Sequence, residues 1–331
     1  MGATHSHRPI YVEINKVKDK MDYQRILVAI DFSPSSEAAL KQAIWLARQS
    51  GACLVLEHAL PESRRAEHLS SYMAKINLLS GHGERFEREI RQDSESKMHR
   101  MLKGLDVSGL DVKFETRLGE VFVEITHTVQ QGGYDLVLAG TRGHNDWNHF
   151  FVGSTAKRLI RKCPSSVWIV KAEHVGPPGI ILAPTDFSDV SRKAILEALR
   201  LAEHANAELH LLHVIDSNDI QSEDNPAISH TALSRHEINE IASKRLIEFL
   251  NSFEMDRRRI HSHLSFGTPW KEIHQMVQRH KVDLIAMGTV GRNGIKEILL
   301  GSTAEKVLDT CDCSILTTKP DGFVSPVEPL H

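Results

Sequence analysis

Two short stretches carry the residues whose types and spacing suit chemistry. "GTRGHNDWNHFFVGS" runs from Gly140 to Ser154, and "GTVGRNGIKEILLGS" runs from Gly288 to Ser302. Both read G-x-x-G, nine residues, then Gly-Ser, and both continue into Thr-Ala. A glycine so spaced answers a backbone demand, either positive φ or close approach to a neighbour or ligand. In each stretch the closing Gly-Ser opens a predicted helix, with Ser154 and Ser302 in the N-cap role. The first amides of a helix lack backbone acceptors and sit at the positive end of its dipole, so this arrangement suits phosphate. Asp31 and Asp186 each follow a short apolar run. There a carboxylate can take a ribose hydroxyl or a phosphate-bound metal, or it can simply favour a helix N-terminus. No G-x-x-x-x-G-K-[ST] and no G-x-G-x-x-G after a first strand is present, so neither a P-loop nor a dinucleotide fingerprint supplies the phosphate chemistry.

The second stretch echoes the first because the whole chain is a duplication. Asp31-Phe32-Ser33 recurs as Asp186-Phe187-Ser188, His58 as His213, Gly119 as Gly267 and Gly140 as Gly288. The first half carries a few more residues, in the polar segment after His58. The boundary falls in "KAEHVGPPG". The expected organisation is a polar N-terminal extension over 1–22, a first domain over 23–172, a linker over 173–178, a second domain over 179–318 and a tail over 319–331. In the first half, short buried strands are predicted at 26–30, 52–58, 112–116, 136–139 and 167–170. Helices are predicted at 34–49, about 84–104, 121–129 and 154–161, and the second half repeats this order. Strands alternating with helices predict an α/β fold with a parallel sheet covered on both faces. In such sheets ligands sit beyond the carboxyl ends of the strands, where both glycine stretches begin.

Composition narrows the classes. The chain has 331 residues and a net charge of -3, which offers no basic field for nucleic acid or an acidic membrane. The run Arg257–Arg259 reads as a solvated turn. The N-terminus lacks the apolar core of a signal peptide, and no apolar run approaches the ~18 residues of a membrane span. The four cysteines (Cys53, Cys163, Cys311, Cys313) form no metal or disulfide framework by spacing and suit a reducing cytosol, so a cytoplasmic protein is expected. Among twenty histidines, His261 and His263 alternate on a predicted strand and share a face. A metal would need a third ligand that the spacing does not supply, so a solvated strand face is expected there and no metal site is assigned. His58 and His213 end the second strands, where they either line the crevice or pack. No nucleophile, base and orienter are recognisable as a set, so an enzyme is not expected.

With the G-2x-G-9x-G-[ST] spacing met twice, the sequence resembles the universal stress protein family, in its tandem E-type form. "PTDFS", "RKCPSSVWIVK" and "TTKPDGFVSPVE" carry the same resemblance. It implies two tandem open, mostly parallel five-stranded sheets, strand order 3-2-1-4-5, with helices on both faces, packed as a pseudo-dimer. It implies ATP, with Mg as an accompanying ion, as the ligand. In the second half the matching positions are Pro184, Thr185, Asp186, Val214, Met287, Gly288, Val290, Gly291, Gly301, Ser302 and Thr303. In the first half they are Asp31, Gly140, Gly143, Gly153, Ser154 and Thr155. There Ala29-Ile30 replaces Pro-Thr, and Trp147, Phe150 and Phe151 occupy the loop, so the first crevice is expected to be the poorer site. The resemblance implies a role in resisting starvation, oxidative or DNA-damage stress, with nucleotide as a conformational switch and a homodimer or protein partners, not membrane or nucleic acid. A nucleotide-free adaptor, or a weak ATPase or self-phosphorylating protein, are the alternatives.

Overall fold

A computed structural model describes residues 21–60, 83–141, 152–173, 175–216, 235–252, 259–291 and 300–329. The first half runs β1 (Arg25–Ala29), α1 (Pro34–Ser50), β2 (Cys53–Leu60), α2 (Gly83–Leu102), β3 (Val112–Leu118), α3 (Val121–Gly132), β4 (Leu136–Gly140), α4 (Ser154–Lys162) and β5 (Ser166–Val170). The second half repeats it as β6 (Ile180–Thr185), α5 (Asp189–Ala205), β7 (Glu208–Ile215), α6 (Arg235–Asn251), β8 (Ile260–Phe266), α7 (Pro269–His280), β9 (Leu284–Gly288), α8 (Ser302–Thr310) and β10 (Ser314–Thr318). The local signals are the expected ones. Ser33 caps α1 and Ser188 caps α5, each accepting from the amide three residues on at 3.2 Å. Helix α1 stops at Gly51 in the left-handed region (φ 76°), and α5 stops at Asn206 in the same conformation (φ 56°).

Within each half the strands are parallel and follow the order 3-2-1-4-5. The two halves do not, however, form two separate sheets. They share one ten-stranded sheet, β3-β2-β1-β4-β5-β10-β9-β6-β7-β8. The join is antiparallel, with Ile169 opposite Ile315, Trp168 opposite Leu316 and Val167 opposite Thr317. Each half alone would end in an apolar edge strand with an unpaired row of amides and carbonyls, and pairing the two edges removes both. Trp168, at 2 % exposure, is buried at this seam.

A core lies on each face of the sheet. One holds α1 and α5 with Ile26, Leu54, Leu136, Ile181 and Leu284, and the other holds α3, α4, α7 and α8 with Leu27, Val137, Leu182 and Ile285. The seam continues between helices. Lys157 and Arg161 of α4 pair with Asp309 and Glu305 of α8. Lys171, just past β5, reaches Asp312, and Lys319, just past β10, donates to the carbonyls of Ile160 and Arg161 at the end of α4. Tyr23 donates to Glu197 of α5 at 2.6 Å, and Asp22 pairs with Arg200. The stretch after β10 then crosses back over the first half. Val327 is buried, its carbonyl accepts from the Gln130 side chain, and the Glu328 carbonyl accepts from His127 Nε2. Removing the seam's largest side chain leaves a cavity in a close-packed site. Trp168→Ala should therefore cost about 3–5 kcal/mol in a denaturant titration of the whole chain.

Candidate functional site

The strand order puts β6 and β9 side by side, with their following connections diverging to opposite faces. A cavity of about 630 Å³ opens there, in the size range of small-molecule sites. All eleven residues expected in the second half line it: Pro184, Thr185, Asp186, Val214, Met287, Gly288, Val290, Gly291, Gly301, Ser302 and Thr303. One wall is apolar, formed by Leu212 and Val214 of β7, Ile273 of α7 and Met287 of β9. The other is backbone-rich and polar, formed by Gly288, Gly291, Gly301 and the first turn of α8. Ser191, Leu212, Asp216, Pro269, Ile273, Thr289, Leu300, Ala304 and Glu305 also line the cavity and were not singled out from sequence. Alternation along β7 signals Leu212 and Asp216 beside Val214, and the four-residue spacing of Pro269 and Ile273 marks one face of α7.

The glycines are present for different reasons. A Cβ on Gly140 would lie 2.7 Å from the Ser35 backbone, and one on Gly288 would lie 2.7 Å from Val190 Cγ1. These two let α1 and α5 start hard against the sheet, so their demand is packing. At Gly291 the Cβ would meet Asp186 Oδ2 at 2.7 Å. Gly301 differs. Its backbone is extended (φ -71°), and the nearest atom to a Cβ, Thr289 O, is 3.5 Å away. Among the described residues nothing crowds a side chain at that position.

The N-caps correct the sequence reading. Gly301 and Gly153, not Ser302 and Ser154, are the N-caps of α8 and α4, and neither provides a side-chain acceptor. The serines are the first helical residues. Extended backbone at the glycines sets the cap one position earlier. In the same crevice α5 is capped by Ser188, whereas the first turn of α8 is left open to the cavity. Thr289 anchors both ends of the loop: its amide donates to Thr318 O at 3.0 Å, and its carbonyl accepts from Gly301 N at 2.7 Å. Thr141 does the same in the first half, bonding Val170 O and Gly153 N. Asp31 and Asp186 are not the caps either. Each accepts from the amide and hydroxyl of its Ser33 or Ser188.

Between them Phe32 and Phe187 adopt φ of 65°, an unusual conformation for a bulky residue that stores strain at both sites. Phe32 lies on His58 (4.5 Å between centroids) and Phe187 on His213 (4.3 Å). His58 Nδ1 donates to Ile30 O at 2.6 Å and His213 Nδ1 to Thr185 O at 2.8 Å, since a carbonyl can only accept. These histidines therefore pack under the Asp-Phe-Ser turn rather than line the cavity.

In the first crevice, Asp31, Gly140, Gly153, Ser154 and Thr155 occupy the corresponding places. Gly143, Trp147, Phe150 and Phe151 lie outside the described residues. The floor differs sharply. Glu57 stands on β2 where Leu212 stands on β7, fully buried, and neither carboxylate oxygen has a hydrogen-bond partner among the described residues. Burial, with Glu115 adding to it, pushes Glu57 up to about 7. A lone charged residue in the buried strand "CLVLEHAL" is the sequence signal for it.

The structure thus defines a duplicated open-sheet α/β protein with a cavity at the switch point of its second half. The sequence profile of the universal stress protein family matches residues 22–171 and again 179–319, so the chain belongs to the universal stress protein family, a family of stress-response proteins, in the tandem arrangement of the E type. Universal stress protein E of Escherichia coli (strain K12) is 26% identical over 322 residues, spanning 92% of this chain and 97% of that protein. A universal stress protein of Methanocaldococcus jannaschii is 34% identical over 139 residues, spanning 42% of this chain and 81% of that protein. The crystal structure of a universal stress protein from Archaeoglobus fulgidus shares the fold, with a TM-score of 0.65 at 19% identity over 90% of this chain and 99% of that one. Among the described residues no helix is long and apolar enough to cross a membrane.

Two outcomes follow from the site. Gly140→Ala should destabilise by about 1–3 kcal/mol through overpacking, while Gly301→Ala should stay under about 1 kcal/mol; thermal midpoints separate them. Glu57 holds its proton more tightly folded than unfolded. The fold is least penalised below pH 4.5 and loses stability as pH climbs to about 7, by up to roughly 3 kcal/mol. Glu57→Gln should flatten the decline in midpoint between pH 5 and 8.

Proposed function

We propose that the chain binds ATP or another adenine nucleotide in the second crevice, and that binding serves stress resistance by switching the conformation of the glycine loop. The observation that carries this reading is the first turn of α8, whose cap offers no side-chain acceptor, starting at a glycine that no described atom crowds, beside an apolar slot. Open amides and the helix dipole suit phosphates, and Leu212, Val214, Ile273 and Met287 suit a flat base. Asp186, Asp216 and Glu305 in the same cavity disfavour a bare polyphosphate, so a Mg ion would accompany the nucleotide and offset their charge.

The activity is one of binding rather than catalysis, because efficient phosphoryl transfer needs a dense array of positive charge around the phosphates. Slow hydrolysis or self-phosphorylation at Ser302 or Thr303 is the enzymatic alternative, and a nucleotide-free adaptor is the other. The stresses served would be starvation, oxidation or DNA damage, in the cytoplasm. Protein partners or a second copy of the chain would read the state of the loop.

Titration with Mg-ATP tests the reading. At a nucleotide concentration a hundredfold above Kd, binding should add about 2.7 kcal/mol to the stability of the wild type. Gly301→Ala, whose added Cβ meets no described atom closer than 3.5 Å, should lose under about 1 kcal/mol of nucleotide-free stability and weaken ATP at least tenfold in calorimetry. Undiminished ATP affinity in that variant, or none in the wild type, would sink the second-domain site.

A further inference from the structure

Toward the end of β7 opposite the crevice, the outer edge of the second half gathers four histidines. His210 lies on β7, and His261 and His263 lie on the edge strand β8. His261 sits directly opposite His210, and all three point to the face covered by α7, whose last residue is His280. The sequence offered two ligands on one strand face; the fold brings a third and a fourth. His210 Nδ1 is 2.9 Å from His263 Nε2, and the His280 ring is centred 4.4 Å from that of His210. One ligand nitrogen from each of His210, His263 and His280 lies within 4.8 Å of the others. His210 is buried, at 4 % exposure, and its other nitrogen, Nε2, has no hydrogen-bond partner among the described residues. That nitrogen faces Glu208 Oε2 at 3.8 Å, a carboxylate that also faces His261 at 4.0 Å.

We propose that His210, His263 and His280 bind a divalent transition-metal cation of the zinc class, with Glu208 orienting His210 from its far side. Three imidazoles are the donor set of a four-coordinate zinc with one position left for water or a further ligand. Nitrogens on such an ion stand ~2.0–2.1 Å from it, and so about 3.3 Å apart, a spacing these rings reach by modest rotation. A carboxylate behind a metal-bound imidazole fixes its tautomer and raises its basicity, which is the position Glu208 holds. Burial and the neighbouring rings keep His263 down at about 4, and burial also lowers His210. Arg279, which acts on His263, opposes the ion, and Glu208, which faces His210, offsets it.

The fold does not require this cluster. In the first half Val55 pairs with Lys113 where His210 pairs with His261. The ion would tie the edge strand, its neighbour and the end of α7 into one unit, and so stabilise the second half by mass action.

Metal-free full-length protein, titrated with zinc chloride in a calorimeter without nucleotide, tests the site independently of the crevice. Wild type should take up a zinc equivalent that is lost or weakened at least tenfold in His263→Ala and in His280→Gln. Zinc should raise the wild-type thermal midpoint and leave those of the variants unmoved. Glu208→Gln should weaken zinc by less than either. His280 lies half-buried at a helix end, so His280→Gln keeps the fold and decides the matter if His263→Ala does not. Equal zinc affinity and stoichiometry in wild type and His280→Gln, or no uptake by wild type, overturns the proposal.

Discussion

The antiparallel pairing of β5 with β10 is the constraint on which the rest depends. It turns two five-stranded sheets into one and lets each face carry a core that runs across both halves. It sets α4 beside α8, where their ion pairs meet, and brings the lysine after each last strand to the other half's helix end. The exposed pairs at this seam contribute little individually. The paired backbone and the buried Trp168 carry the join.

Fusion also frees the two copies from identity. In a dimer of identical chains every substitution appears twice; here each half varies alone. Glu57 stands under the first crevice and Leu212 under the second, at the same place on the same strand. Among the described residues the histidine cluster belongs to the second half. The shared parts are the expensive ones: the strained Phe32 and Phe187 turns, the glycines that admit α1 and α5, and the threonines that pin each loop. What is common to both halves builds the crevice, and what differs decides what each crevice tolerates.

Much of this was readable from the residues because the chain repeats itself. Asp186, Gly288 and Gly301 drew attention through their first-half partners, and the alternation of strands and helices located them at one end of a sheet. The reason for each glycine was not readable. Gly288 answers Val190, which lies far from it in sequence, and Gly301 is crowded by no described residue. The caps slipped by one residue because serine is the commoner cap and only backbone geometry shows Gly153 and Gly301 in that position. The single sheet could not be inferred, since an apolar last strand looks the same whether its edge is covered by a helix or by another strand. His261 and His263 announced a shared face, but His210 and His280 join them only through the register of β7 with β8 and the length of α7.

The segment beyond β10 gives the molecule an order of assembly. Lys319, Val327 and Glu328, which follow the second half, contact α3 and α4 of the first. Until β10 is made, β5 stands as an open apolar edge, the kind of surface that invites pairing with another nascent chain. The first half is therefore closed only when the second half has folded against it.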